Sequence, residues 1–241
     1  HLSIRRQRQM CIRDSVGAGS GLSASLARLC RSKRMKVVLA ARNIEKLKNL
    51  KKEIDAHLIK CDVTSIKSVN NLFKKTDKII GAPNLVIYNP SKSLGGNIID
   101  LDPKKAYEAI NITCYGGFLV AQQAAKRMLK KKRGSIFFTG ATASVKGFPK
   151  SSVFAMGKFG LRGLAQSLAR ELHPHNIHIG HFIIDGGIGN KNYRTYKTIH
   201  PDSIAKIYLE FHHQDKSAWS WETELRLSLI HISEPTRRRG I

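Results

Sequence analysis

The chain has 241 residues, 41% of them hydrophobic, and carries a formal net charge of +25. This length suits one α/β domain with a full core, and no apolar run reaches the length of a membrane-spanning helix. The charge indicates either a solvated lysine-rich surface or attraction to anionic partners, and nucleic acid is disfavoured because we find no RNA-binding motif with interleaved aromatic residues and no zinc knuckle.

The two ends of the chain form an inverted repeat at the level of their coding DNA. A DNA segment that encodes residues 10–15 has a reverse complement that encodes residues 227–232, and both tails resemble translated transposon adaptors used in sequencing libraries. We therefore expect residues 1–15 and 227–241 to be artefactual and residues 16–226 to form the natural domain, which is truncated at both ends. The alternative is a pair of genuine flexible tails.

Between the tails, apolar strands alternate with helices. Strands are predicted at residues 37–41, 57–61, 84–88, 135–139, 177–184 and, at the sheet edge, 219–225. Helices are predicted at residues 21–31, 43–55, 65–75, 117–131, 151–173 and 201–211, and one more begins with Asp102 as N-cap and Pro103 as first residue. Alternation at this spacing predicts a single α/β domain with a parallel, doubly wound sheet.

A glycine-rich turn opens the natural segment. It holds Gly17, Gly19 and Gly21 immediately before the first predicted helix. Glycines let a backbone approach a pyrophosphate, and a helix N-terminus offers unpaired N–H groups and a positive dipole to an anion. The turn therefore indicates a nucleotide phosphate site, although glycine-rich turns are also common elsewhere.

The strand at residues 37–41 ends at Ala41 and is followed by Arg42. An acid at this point would bind both ribose hydroxyls of NAD, whereas an arginine can pair with a 2′-phosphate. Arg42 therefore predicts NADP rather than NAD, unless it is an ordinary arginine at the end of a strand.

The longest predicted helix, residues 151–173, carries Phe154 and, four residues later, Lys158. With the glycine turn, this segment resembles the short-chain dehydrogenase/reductase family, whose active site is a Tyr-x-x-x-Lys pair on such a helix. Phe154 stands at the position of the family tyrosine, and Ala141 stands at that of the catalytic serine. The resemblance covers nearly all of residues 16–226 and implies a Rossmann-like fold with a strand before the glycine turn. We expect that strand to be lost, because adaptor residues stand in its place.

The resemblance also implies a set of cofactor-binding residues. Asp62 would hold the adenine edge, unless it merely caps the next helix, and Asn89 would lie in the loop beside a cofactor ribose. Ser23 departs from the family's third glycine. The structural asparagine of the family falls at Thr113, with Asn111 two positions away. The full implied cofactor set is Gly17, Gly19, Gly21, Leu22, Arg42, Asp62, Val63, Asn89, Lys158 and Gly186.

The catalytic chemistry of the family needs a tyrosine phenol, whose pKa of about 10 a lysine ammonium and the bound cofactor lower. Phe154 has no ionisable group and Ala141 has no donor, so another acid would have to act; the candidates are Thr142, Tyr115 and Asp185. Three hypotheses remain: an oxidoreductase of a carbonyl or hydroxyl substrate with a non-standard site, a catalytically inactive nucleotide-binding sensor or partner subunit, and a basic nucleic-acid-binding module.

The remaining expectations concern partners and location. The resemblance implies a homodimer or homotetramer built on the helices at 117–131 and 151–173, a small-molecule substrate, and no metal. The polar segment at 188–200 is typical of a substrate lid. Outside the tails, Cys30, Cys61 and Cys114 are an odd number without a Cys-x-x-Cys pattern, which favours a reducing compartment and a cytoplasmic protein.

Overall fold

The structure, a computed structural model, describes residues 21–189 and 198–227, and the backbone of residues 10–14. Its strands are β1 (Met10–Asp14), β2 (Lys36–Ala41), β3 (His57–Lys60), β4 (Leu85–Tyr88), β5 (Gly134–Thr139), β6 (Ile177–Asp185), β7 (Gly187–Ile188), β8 (Thr198–Ile199) and β9 (Glu222–Arg226). Seven of them form one sheet in the order β3-β2-β1-β4-β5-β6-β9, and every pairing in it is parallel. Strands β7 and β8 form a separate pair. The predicted doubly wound parallel sheet is confirmed.

Helices cover both faces of the sheet. They are α1 (Leu22–Ser32), α2 (Lys48–Ile54), α3 (Ile66–Ile79), α4 (Pro103–Ile110), α5 (Gly116–Lys131), α6 (Ser152–Leu172) and α7 (Pro201–His213). Helices α1, α2 and α7 share one apolar cluster with the sheet, and α3, α5 and α6 share the other. Along β2, Val37 and Leu39 belong to the first cluster and Val38 and Ala40 to the second, because successive side chains of a strand point to opposite faces. This two-sided burial explains why the strands read as continuous apolar runs.

Local capping chemistry sets where several helices begin. The Asp102 carboxylate accepts a hydrogen bond from the backbone N–H of Lys104 at 2.8 Å, and Pro103 occupies the first turn of α4, as predicted. Ser65 caps α3 in the same way. The helix predicted at residues 43–55 is instead a 3₁₀ turn, Glu45–Leu47, that leads into α2.

The structure describes a strand before the glycine turn, formed by the adaptor-like residues themselves, and the loss of the natural first strand stays a prediction. Met10–Asp14 fills the central position of the sheet as β1, with Ile12 opposite Val38 on one side and Val86 on the other. The physical reason is that a parallel ladder joins backbone N–H and C=O groups, so an extended segment without proline can pair there even where its side chains are polar. The predicted edge strand is also present, as β9.

Within the described ranges, none of the helices has the length and apolar character needed to cross a bilayer. The β7–β8 pair was not predicted, because two-residue strands have no pattern of their own. The polar segment predicted as a lid, residues 188–200, lies partly outside the described residues.

Candidate active site

The carboxyl ends of parallel strands meet along one edge of the sheet, and there the fold collects most of the predicted site residues. Arg42 directly follows β2, Asp62 is the second residue after β3, and Asn89 directly follows β4. Because β5 and β6 are neighbours, the loop after β5 lies beside Asp185 at the end of β6.

Thr142 and Asp185 form a hydroxyl–carboxylate pair at this edge. The Thr142 hydroxyl donates to Asp185 Oδ1 at 2.5 Å. A short 3₁₀ turn, Thr142–Ser144, holds the threonine in place: the Ala141 N–H donates to Ser144 Oγ at 3.1 Å, and the Ser144 N–H donates to the Ala141 carbonyl at 2.7 Å. A hydroxyl that donates to a carboxylate keeps its oxygen lone pairs for a second partner, so the pair can accept a proton from a substrate and pass it on.

Lys158 reaches the same edge from α6. Its ammonium is buried and donates to the Thr139 carbonyl, the last of β5, at 2.7 Å. Burial lowers the pKa of Lys158 to about 8. The Phe154 ring lies one helical turn earlier, with its centroid 5.8 Å from Lys158 Nζ. The lysine thus lies one helical turn after a ring that has no acidic proton.

A π turn, Asn111–Tyr115, joins α4 to α5 and fixes the loop after β4. Buried Thr113 accepts a hydrogen bond from the Lys92 N–H at 3.1 Å, and the Tyr88 hydroxyl donates to the Ile112 carbonyl. π turns inside helices are rare and frequently occur at functional sites. Thr113 therefore ties the loop to the helix from the position that the resemblance gives to a structural asparagine.

Tyr115, a candidate acid, lies at the end of this turn and is 40% exposed. Its ring stacks on Phe118, with centroids 6.0 Å apart. Among the described residues, no hydrogen bond or ring contact joins it to Thr142 or Lys158. Of the three candidate acids, Thr142 and Asp185 are therefore hydrogen-bonded to each other, whereas Tyr115 forms no hydrogen bond with Thr142 in the part of the chain that the structure describes.

Comparisons with known proteins agree with this architecture. A family model described as short chain dehydrogenase matches residues 15–189. The chain belongs to the short-chain dehydrogenase family.

Members of this family are NAD(P)-dependent oxidoreductases. The crystal structure of a short-chain dehydrogenase from Rhodopseudomonas palustris is 32% identical to this member, with a TM-score of 0.80 over 90% of this chain and 98% of that one. A metagenomic short-chain oxidoreductase in complex with NADP is 24% identical, with a TM-score of 0.78 over 91% of this chain and 97% of that one, which shows the fold alone.

Among curated relatives, the 3-ketodihydrosphingosine reductase of Bos taurus is 27% identical over 174 residues. The match takes in 68% of this chain and 52% of that protein, so this short-chain dehydrogenase spans about half the length of that relative.

The residues expected to hold a nucleotide in this short-chain dehydrogenase differ in the hydrogen bonds that they make. Asn89 donates to Ser23 Oγ at 2.8 Å, so the residue at the third-glycine position anchors the loop after β4. Asp62 Oδ1 accepts from the N–H and hydroxyl of Thr64, which forms a turn before α3, while Ser65 provides the helix cap. Asp62 is thus not the cap of α3.

Of the other residues expected at the cofactor site, two are buried apolar residues, two are glycines of the described chain, and two lie outside the described residues. The side chains of Leu22 and Val63 are buried, so they can offer a nucleotide only their backbone or their apolar contact. Gly21 opens α1 and Gly186 follows Asp185. Gly17 and Gly19 lie outside the described residues.

Charge at the nucleotide end suits a phosphorylated ligand. Arg42 Nη1 lies 3.9 Å from Glu108 Oε1, and Lys92 Nζ lies 2.5 Å from Glu108 Oε2. Two cations from separate loops can pair with a phosphate group, and the buried Lys158 ammonium can donate to a hydroxyl. The residues present therefore fit a phosphorylated nucleotide.

A partly buried polar cluster, which the sequence analysis did not predict, supports the loop after β5. The Arg162 guanidinium binds both carboxylate oxygens of Glu222, at 2.7 and 2.8 Å, and His181 Nδ1 lies 2.9 Å from Glu222 Oε2. Burial, opposed by Glu222, lowers the pKa of His181 to about 4, so the ring is neutral at neutral pH. Its other nitrogen faces Gly140, where an added Cβ would lie 2.5 Å from Nε2. A glycine directly after a buried strand was the available signal for this close approach.

Proposed function

We propose that this protein is an NADP-dependent oxidoreductase that interconverts a carbonyl and a hydroxyl group of a small-molecule substrate through a non-standard site. One observation carries the proposal: the hydroxyl of Thr142 donates a hydrogen bond to the carboxylate of Asp185 at 2.5 Å. Asp185 ends β6, and Lys158 donates to the last carbonyl of the neighbouring strand β5. Thr142 directly follows Ala141, the residue at the position of the family serine, and the pair takes over the proton chemistry that Phe154 cannot perform.

The residues divide the reaction as follows. In alcohol oxidation, the substrate hydroxyl donates its proton to the Thr142 oxygen while the Thr142 proton passes to the Asp185 carboxylate. The O–H bond of the substrate breaks, an O–H bond on Asp185 forms, and the proton leaves to water. When bound, NADP would supply the acceptor for the hydride that leaves the substrate carbon. Carbonyl reduction reverses each transfer and needs Asp185 protonated at the start.

Lys158 has a positioning and electrostatic part. Its ammonium, held 2.7 Å from the Thr139 carbonyl, is a cation beside the developing alkoxide and can also hold the hydroxyls of a nicotinamide ribose. With a pKa lowered to about 8 by burial, it remains mostly protonated at neutral pH. Arg42 supports the choice of NADP over NAD, and the NADP complex of a protein with the same fold is consistent with it.

The test measures hydride transfer and nucleotide binding separately. Absorbance of NADPH is followed with panels of ketones, aldehydes and secondary alcohols for the wild type, Thr142→Val and Asp185→Asn. We expect both variants to lose at least about a hundredfold in kcat, the lower end of general acid–base effects, while NADPH binding stays unchanged. Asp100→Asn, at an exposed carboxylate, is the matched control and keeps full activity.

An inactive sensor or partner subunit is the second candidate, favoured by Phe154 and Ala141 at the positions of the family tyrosine and serine. Two results together would support this candidate and contradict the enzyme. The wild type would bind NADPH but transfer no hydride to any compound of the panel, and the Thr142→Val variant would bind NADPH as tightly as the wild type.

We also infer a homo-oligomer, a homodimer or homotetramer, in which α5 and α6 pack against the same helices of a second copy. A groove of about 410 Å³ between these helices is lined by apolar Phe118, Leu129, Leu164 and Leu168. Phe118 and Leu129 are 42% and 38% exposed. A second copy would cover these side chains. The thiols of Cys30, Cys61 and Cys114, which form no disulfide with one another, fit a reducing, cytoplasmic environment.

A further inference from the structure

A carboxylate lies between the two cations at the nucleotide end of the site. Glu108 belongs to α4, whereas Arg42 follows β2 and Lys92 follows β4. All three side chains are partly exposed, with 45%, 45% and 35% of the side-chain surface accessible for Glu108, Arg42 and Lys92. The arrangement is that of two cations around one anion, and the anion is supplied by the protein itself.

The two ion pairs are unequal. Lys92 is held, because its backbone N–H donates to Thr113 and its ammonium lies 2.5 Å from Glu108 Oε2. Arg42 is 3.9 Å from Glu108 Oε1, which is close enough for an ion pair but too long for a hydrogen bond. Arg42 therefore faces the Glu108 carboxylate without a hydrogen bond to it. An anion that binds Arg42 more strongly can displace this carboxylate.

We propose that Glu108 determines how strongly the protein prefers NADP, because its carboxylate holds the position of the 2′-phosphate between Arg42 and Lys92 and has to leave when that phosphate binds. The inference rests on the proposed NADP preference. A phosphate monoester carries a charge of about −1.5 to −2 at neutral pH and repels a carboxylate at the same position. Its three oxygens can serve both cations at once, and Glu108, already partly exposed, can turn into water.

Glu108→Gln removes the charge and keeps the size of the side chain. We expect it to bind adenosine 2′,5′-bisphosphate about fivefold more tightly than the wild type, the effect of no longer breaking an exposed ion pair. Binding of 5′-AMP, which has no 2′-phosphate, should stay unchanged. Lys92→Met should weaken binding of the bisphosphate and leave 5′-AMP unaffected.

Calorimetric titration of the full chain with the two nucleotides is the experiment, and it needs no catalytic turnover. Glu53→Gln is the matched control: Glu53 lies 2.5 Å from Arg28, with a similar exposure, on α2. It removes the same charge from the protein and should change neither affinity.

The outcomes separate this inference from the proposed function. If the wild type prefers the bisphosphate and Glu108→Gln does not increase that preference, the role of Glu108 is overturned and NADP preference stands. If the wild type shows no preference and Glu108→Gln creates one, the role of Glu108 is upheld and NADP preference of this chain is refuted. If neither protein discriminates, both are refuted. Weaker binding of 5′-AMP by Glu108→Gln would mean that Glu108 holds ribose hydroxyls, which also overturns the inference.

Discussion

Gly140 is the first residue after β5, and the imidazole of His181 fills the space where its side chain would be. A Cβ built on Gly140 would lie 2.5 Å from His181 Nε2 and 2.9 Å from the backbone carbonyl of Phe182. The ring cannot simply turn away, because His181 Nδ1 is bonded to Glu222, and the carbonyl belongs to the central part of β6. Gly140→Ala therefore forces a shift of the loop that carries Thr142.

We expect Gly140→Ala to lower the free energy of unfolding by about 1–3 kcal/mol, the usual effect of overpacking a filled site. For a domain of this size, each kcal/mol lowers Tm by about 2–4 °C. Activity should fall as well, because Thr142 is two residues away. Urea unfolding followed by circular dichroism measures the stability change.

Gly163→Ala is the matched control. Gly163 is an exposed residue inside α6, and an added Cβ would meet no atom within 4 Å. Alanine is the better helix former by about 1 kcal/mol, so this substitution should stabilise the protein. The two Gly→Ala changes are thus expected to have opposite signs.

The decisive test introduces Gly140→Ala into a His181→Ala variant, which lacks the ring that the added Cβ would strike. In that variant, Gly140→Ala should lower the free energy of unfolding much less, because only the close contact with the Phe182 carbonyl remains. A Gly140→Ala variant as stable as the wild type, or one whose effect is the same with and without His181, would refute the reasoning.

Four further predictions follow from the same contacts. Burial lowers the folded-state pKa of His181 to about 4, below its ordinary value of 6.5. The contribution of the neutral ring to stability is therefore complete above pH 6.5 and is lost as the pH falls towards 4, and His181→Gln should flatten the decline of Tm over that range. Phe154→Tyr combined with Ala141→Ser should leave hydride transfer unchanged or lower it, and a large gain would indicate a recently lost tyrosine site. Phe118→Glu should shift the mass measured by light scattering from oligomer to monomer, and a wild type that is monomeric at micromolar concentration contradicts the oligomer. We expect the chain to fold poorly, because charged residues stand in its central strand where apolar residues belong, so replacing residues 9–15 with an apolar strand sequence should raise Tm. A sharp cooperative melt of the unchanged chain would count against this expectation.

Much of the fold could be read from local patterns. Runs such as those at β2 and β5 are apolar on both faces, which predicts strands covered by helices on both sides. The apolar spacing along α6 predicts the helix that carries Phe154 and Lys158. The cap formed by Asp102 and Pro103 was predicted from two adjacent residues, because capping depends only on groups within one turn.

The sequence by itself determined the α/β class, the positions of most elements, the family resemblance and the departures at Phe154 and Ala141, since each depends on residues that are close along the chain. Only the tertiary structure decided that β5 and β6 bring Thr142 to Asp185, that Glu222 of β9 meets His181 and Arg162, and that Glu108 lies between Arg42 and Lys92. Periodicity shows which side of an element is buried, but it does not show which distant element covers that side. Contacts between charged groups far apart in sequence follow from strand order and register, which the whole chain sets together.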